Sequence, residues 1–300
     1  MRINSISDLI AEAKKVQKKT IIAVIEAQDE HTIQSVVRAH EDGIADTVLI
    51  GDAKEIRRLL LQCTSNLESY EVLQSKGAQD SARLAARLVK AGRASAIMKG
   101  KLESGNFIRA ILDKENDLLT GRILSLAGLF APPLYHKVFA VSDMGLVPHP
   151  DLLTKKAIIE NSVRLLNTLG IPRPKVAVLT AVEKPSPKMP ETIDADALKK
   201  MNENNEIVDC VVEGPISFDL ATSKEAAEIK EFDSPVAGDA DLLIVANVLS
   251  GNILAKCLTG FSGAQTAGTI LGAKVPIIFT SRSAETTDKY NSIALATCLS

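Results

Sequence analysis

TIIAVIEAQDEHTIQSVVRAHEDGIADTVLIG, residues 20–51, contains in one run the pieces from which the fold is read. Its ends, TIIAVI at 20–25 and DTVLIG at 46–51, are apolar at successive rather than alternate positions, as strands covered on both faces are. Between them EHTIQSVVRAHEDG places its apolar residues on one helical face and stops at Gly43, where a left-handed cap is expected. SARLAARLVKAG repeats the device at Gly92. Further apolar runs follow at SAIMKG (95–100), HKVFAVSD (136–143), KVAVLT (175–180), IVDCVVEG (207–214), DLLIVAN (241–247) and VPIIFT (275–280). Strands alternating with helices define an α/β protein with mostly parallel sheets and helices on both faces.

Three hundred residues, 46% of them apolar, are enough for one or two buried cores. The double proline at Pro132–Pro133 and the stretch GFSGAQTAG (260–268) are the candidate hinges. They predict a discontinuous first domain, 1–133 plus 271–300, and a second domain, 134–270. A formal net charge of −2 supplies no field to hold nucleic acid or an anionic membrane, so neither is an expected partner. The first twenty residues alternate charged and apolar side chains, unlike a signal peptide, and no run is long enough to span a bilayer, so a cytoplasmic protein is expected. Cys63, Cys210, Cys257 and Cys298 lie scattered among apolar neighbours and are expected as core thiols.

In open parallel sheets, ligands collect beyond the carboxyl ends of the strands, where loops enter helices at their electropositive N-termini. VPIIFT-SRSAETTD places Ser281 and Arg282 directly after a strand and Asp288 at the start of the closing helix. A guanidinium offers paired donors suited to phosphate, and a serine hydroxyl can donate to another oxygen. A plain turn, a solvated arginine and a dipole-complementing aspartate would give the same pattern. KGKLESGNFIRAIL sets Lys99, Gly100, Lys101 and Arg109 around a second strand-to-helix loop as anchors for the phosphates of a nucleotide-like ligand. VEGPISFDLA contributes Glu213, Gly214 and Asp219, and VANVLSGNILAK contributes Asn247, Gly251 and Asn252, with Gly251 read as a place where a ligand approaches the backbone. GxxxxGK[ST], an early GxGxxG and HExxH are all missing, and His31, His40, His136 and His149 lack metal-ligand spacing, so no metal site is expected.

At these same loops the sequence resembles the phosphate acetyl/butyryl transferase family. The resemblance rests on GIADTVLIGD, AVEKPSPKMPETIDADALKKM, VEGPISFDLA, SPVAGDADLLIVANVLSGNILAK and TSRSAETTDKYNSIALA, five separated stretches in family order. It implies a two-domain fold like that of isocitrate and isopropylmalate dehydrogenases, a cleft between the domains, and a homodimer. It implies acyl-CoA plus phosphate giving acyl phosphate plus CoA, with CoA as a substrate and no permanently bound cofactor. Ser281, Arg282 and Asp288 match the acetyl-type Ser-Arg pair and the Asp seven residues after the Ser, and Arg109 matches a CoA-contacting arginine. A further acetyl-type arginine falls at Gly260, and the AVEKPSPKMPETIDA stretch resembles the butyryl-type branch, in which the position of Asp288 need not be acidic. A short acyl group, butyryl or similar, is therefore expected, with acetyl as the alternative. A nicotinamide-dependent dehydrogenase on the same fold, which would need an acidic metal cluster, and a non-catalytic CoA-binding protein are the rival readings.

Overall fold

A computed structural model describes residues 2–300 and divides the chain into two compact units. The first unit comprises Ile6–Arg122 with Ala267–Ser300, and the second comprises the residues up to Ser5 with Ile123–Thr266.

The first unit opens with α1 (Ile6–Ala13), β1 (Thr20–Ile25), α2 (Glu30–Glu41), β2 (Ala45–Gly51), α3 (Ala53–Cys63), β3 (Glu71–Gln74), α4 (Ala78–Lys90), β4 (Ala96–Lys99) and α5 (Ser104–Leu112). Asp29 caps α2 by accepting the Thr32 N–H at 2.9 Å, and Gly43 and Gly92 follow α2 and α4 at φ of +71° and +67°. β1 pairs in parallel with β2 on one side and β4 on the other. The strand order β3-β2-β1-β4 therefore reverses direction at β1. Right-handed crossovers place α2 and α3 on one face of this sheet and α4, which carries the chain back, on the other. Such a reversal opens a crevice at the carboxyl ends of β1 and β4.

In the second unit, β5 (Ser125–Ala131) pairs antiparallel with β6 (Phe139–Ser142), and the chain continues through α6 (Leu152–Thr168), β7 (Lys175–Leu179), α7 (Pro190–Glu203), β8 (Val211–Ile216), α8 (Phe218–Thr222), α9 (Lys224–Ile229), β9 (Leu242–Ile244) and α10 (Val248–Gly260). The strand order is β5-β6-β9-β7-β8, parallel beyond the first pair. Phe130, Phe139, Val141, Ile216 and Leu243 lie at the centre of its core. Pro132–Pro133 turns the chain between β5 and β6, inside this unit, and Tyr135 N–H donates to the Pro132 carbonyl at 3.1 Å.

The remaining elements are β10 (Gln265–Leu271), β11 (Ile277–Ile278) and α11 (Thr286–Leu299). Part of the glycine-rich stretch expected as a hinge is thus strand, because Gln265–Gly268 begins β10. β11 pairs antiparallel with β10 and parallel with β4, which seats the last strand beside the crevice. α11 is buried continuously from Lys289 to Thr297 and packs on α1 and α2. The expectation of four core cysteines is corrected in one case: Cys210 is buried, Cys63 and Cys298 are half-buried, and Cys257 lies exposed on α10.

Candidate functional site

Lys99 ends β4 in register with Ile25, the last residue of β1, at the reversal of strand order. Its side chain runs inward, 1% exposed, and Nζ donates to the Thr280 carbonyl at 3.3 Å while lying 5.6 Å from the centre of the Phe279 ring. Burial, with the charges of Lys289 and Arg282 behind it, pulls the ammonium down to about 8 against the opposing pull of Asp29. Gly100 follows because a Cβ there would collide with the Glu26 carbonyl, and its own N–H donates to Ile25 at 2.8 Å. The missing side chain serves the joining of two strand ends. Lys101 is exposed, and its charge reaches Glu55 on α3.

Beyond β11 the chain makes a tight turn. Ser281 Oγ lies 3.0 Å from Ser283 Oγ, and the Ala284 N–H donates to the Ser281 carbonyl at 3.1 Å. Ser281 and Arg282 are both exposed on this turn. Asp288 is half-buried in the first turn of α11, and its carbonyl accepts from the Ser292 hydroxyl at 2.7 Å. The structure thus brings Lys99, Ser281, Arg282 and Asp288 to one end of the first unit's sheet. Arg109 serves a different surface: it donates to Asn106 Oδ1 at 3.1 Å and helps line a groove of about 700 Å³ together with Lys76, Gln79 and Asp113.

Sequence reasoning missed Lys289 and Asp29. Lys289 is buried, with Nζ 3.8 Å from Asp29 Oδ2. Burial lowers its pKa while Asp29 opposes the shift. Asp29 also accepts from Thr32 Oγ1 at 2.6 Å; burial acts to raise its pKa, but this bond and Lys289 hold it below the usual carboxylate range. Neither is marked in the sequence: a lysine is seldom fully buried without a partner, and the burial of Lys289 at the head of α11 is set by packing.

In the second unit, Glu213 is occupied by internal bonds: Oε1 accepts from Lys199 at 2.8 Å and from the Gly214 N–H at 3.0 Å, and Oε2 accepts from Ser234 at 2.8 Å. Gly214 is required by packing, because a Cβ would lie 2.9 Å from Val178 Cβ. Asp219 is exposed and pairs with Lys230 at 2.9 Å; the Ser217 hydroxyl first, then Lys230, brings its carboxyl down to about 2. Asn247 caps α10 by accepting the Ser250 N–H at 3.0 Å, and Asn252 is exposed one turn later.

Gly251 was read as admitting a ligand, yet the space its Cβ would take is filled by protein: the Asp143 carbonyl oxygen and Met144 Cα both lie 2.9 Å away. Asp143 is a further residue that sequence reasoning overlooked. Its Oδ1 accepts the N–H groups of Leu126, Gly145 and Leu146 at 3.2, 2.9 and 3.0 Å, and its Oδ2 accepts that of Val147 at 3.0 Å. Burial raises its pKa, and the four amides oppose the rise.

The histidines make local polar contacts. His40 Nδ1 lies 2.7 Å from Asp46, His136 Nε2 2.8 Å from Asp239, and His31 Nδ1 3.0 Å from the Thr286 hydroxyl. Among the described residues no cluster of three His, Cys, Asp or Glu could hold a metal ion, and no helix is long and apolar enough to cross a membrane.

The family profile described as Phosphate acetyl/butaryl transferase matches residues 5–83 and 71–297. A phosphate butyryltransferase of Clostridium acetobutylicum is 37% identical over 98% of this chain and 97% of its own length. A phosphate acetyltransferase of Thermotoga maritima is likewise 37% identical, over 96% of this chain and 97% of its own. Among solved structures, a branched-chain phosphotransacylase from Enterococcus faecalis V583 superposes with a TM-score of 0.81 at 30% identity, covering 93% of this chain and 99% of that one. A 4-hydroxythreonine-4-phosphate dehydrogenase from Klebsiella pneumoniae, at 16% identity and a TM-score of 0.57 over 93% of this chain and 98% of its own, shares the fold alone. With the profile and these relatives spanning nearly its whole length, the chain belongs to the phosphate acetyl/butyryl transferase family and is an acyltransferase.

Proposed function

We propose that the protein exchanges a short acyl group between coenzyme A and inorganic phosphate, acyl-CoA plus phosphate giving acyl phosphate plus CoA. The observation that carries this reading is the concentration of positive charge at one strand end: Arg282 on an exposed turn above Lys99, with Lys289 behind. In a chain with phosphate butyryl- and acetyltransferase relatives, that is where a phosphate would be met. Arg282 binds the phosphoryl group and stabilises the developing oxyanion, and Ser281 donates to a phosphate oxygen or to the leaving group.

In the reverse direction the CoA thiol, of pKa about 8.5, must lose its proton, and an aspartate of ordinary pKa about 3.9 would receive it only at a cost of roughly 6 kcal/mol. Asp288, half-buried in the first turn of α11, is assigned to the thiol, which its carboxylate can orient as a hydrogen-bond acceptor. Within the first unit, Gly100, Lys101 and Arg109 are assigned to the CoA substrate, while Lys99, expected from the sequence among the CoA anchors, is assigned with Arg282 to the phosphate. No resident cofactor is invoked.

The reading extends to a cytoplasmic homodimer. Exposed apolar residues on α10 and at its C-cap support the dimer, with Leu249, Ile253 and the C-cap Phe261 at 70, 53 and 92% exposure. Light scattering on the purified protein checks it. The reaction is tested by phosphate-dependent release of CoA from acetyl-, propionyl-, butyryl- and isobutyryl-CoA. Fastest release is expected from the four-carbon substrates, and absence of release from all four overturns the reading.

A further inference from the structure

Lys99 and Lys289 are two ammonium groups within the buried interior of the first unit, 1% and 2% exposed, and Asp29 is the carboxylate that acts on both. That carboxylate is already shared: it accepts two hydrogen bonds from Thr32, and its approach to Lys289 is a loose 3.8 Å. Asp288, half-buried, acts on Lys289 alone, so Lys99 has only the shared Asp29, and burying cations so thinly matched is unfavourable unless a further anion completes the arrangement. The Thr280 hydroxyl, buried at the same strand end, has no hydrogen-bond partner, although a buried hydroxyl ordinarily finds one. α11 presents its N-terminus here, and its N-cap residue Glu285 supplies no side-chain bond to the first turn. Its positive dipole end therefore adds to the field of the lysines.

We propose that Lys289, with Lys99, the Thr280 hydroxyl and Arg282, forms the seat for a tetrahedral oxyanion: inorganic phosphate in one direction of the reaction, the phosphoryl group of the acyl phosphate in the other. The assignment rests on the acyl-transfer reading above and adds to it Lys289, a residue to which the sequence reading gave no role. Three cations against Asp29 and the half-buried Asp288 leave one positive charge, to which the positive end of α11 adds in drawing a phosphate anion. The lysines act as point charges from beneath and Arg282 as a planar donor from the exposed side, so the anion is gripped without a fixed orientation from below. The low pKa of Lys99 accords with an anion-free seat in which the cations repel one another.

The test uses the full-length protein and calorimetric titration with inorganic phosphate and, separately, with CoA. Lys289→Met is expected to weaken phosphate binding and raise the KM for phosphate at least tenfold, with CoA affinity unchanged within twofold and the thermal midpoint not lowered. Lys289→Arg is expected to recover part of the phosphate affinity. Unchanged phosphate affinity in the folded Met variant overturns the proposal. Should that variant fail to fold, wild-type protein carrying ¹⁵Nζ-labelled lysine gives a second readout. Its buried ammonium resonances should shift on adding phosphate and not on adding chloride at equal ionic strength, and unmoved resonances overturn the seat. Phosphate-dependent CoA release by the wild type, with an unaltered phosphate KM in Lys289→Met, would reject the seat and leave the acyl-transfer reading standing. Lys289-dependent phosphate binding with no CoA release would do the reverse.

Discussion

Lys99 Nζ, at the carboxyl end of β4, donates to the carbonyl oxygen of Thr280 at 3.3 Å, the residue immediately before the Ser281–Arg282 turn. A buried cation thus ties the central strand to the loop that bears the proposed phosphate-binding groups. The arrangement is costly, because a lysine whose ammonium falls from 10.5 to about 8 on folding still carries its charge at neutral pH, and burying that charge lowers the stability of the folded state.

Lys99→Met should therefore separate stability from activity. A shift of that size corresponds to a penalty on the order of 3 kcal/mol, offset in part by the lost Thr280 bond and the Phe279 ring contact. The variant is expected to melt at or above the wild-type midpoint while losing at least about tenfold in turnover, the trade-off of a residue retained for function. The unfolded chain binds more protons than the folded one between about pH 8 and 10.5, so the Lys99 penalty is full below pH 8 and gone above 10.5. Calorimetric scans across that window should show the stability gap between Met variant and wild type closing as pH rises. A gap that widens would rule out the burial of a charged Lys99.

Catalysis should follow the same titration in the opposite sense. Lys99 faces the cations Lys289 and Arg282 and the carboxylate Asp29. With acyl-CoA saturating, kcat/KM for phosphate reports the ionisations of the enzyme form that meets phosphate. It should fall above about pH 8, approaching tenfold per pH unit. The acyl-CoA direction has no free thiol among its substrates, so the decline cannot come from CoA. A profile flat to pH 10 would count against a charged Lys99 in phosphate binding.

Arg282→Ala removes a donor from the developing oxyanion, a change worth about 3 to 4 kcal/mol when one such donor is lost. Turnover should drop by at least about a hundredfold, with CoA binding retained in calorimetry because Arg282 is exposed and holds no other part of the fold in place. Wild-type turnover in a correctly folded variant would remove Arg282 from the mechanism.

Much of the first unit was legible in the sequence because its strands are apolar at every position: TIIAVI became β1 residue for residue, and Gly43 and Gly92 follow their helices at positive φ. Three strands escaped notice. Glu71–Gln74 is an edge strand, Ser125–Ala131 is diluted by serine, alanine and glycine, and Gln265–Leu271 begins within a glycine-rich stretch that resembles a hinge. Adjacency along the chain made Ser281 and Arg282 visible as a pair. Lys289 and Asp29 are 260 residues apart in sequence and meet only through packing of α11 on α2, so no local pattern could announce them. Glycine was the ambiguous letter: Gly100, Gly214 and Gly251 are each required by neighbouring protein atoms, a demand that in sequence looks the same as room for a ligand.

Asp143 offers a test of the second unit's loop. Its carboxylate accepts four backbone N–H groups from Leu126 and Gly145–Val147, and its carbonyl fills the space beside Gly251 of α10. Asp143→Ala leaves those donors without a protein partner. An orphaned buried donor costs about 1–3 kcal/mol, and those nearer the surface recover water, so a total loss of about 3 kcal/mol is expected. Asp143→Asn keeps one acceptor oxygen, which can serve the three amides now at Oδ1, while its NH₂ meets the Val147 N–H donor to donor. It should cost roughly half as much as alanine. Denaturant melts of the two variants check the order; alanine and asparagine destabilising equally, or neither doing so, would mean that the loop draws its support from elsewhere.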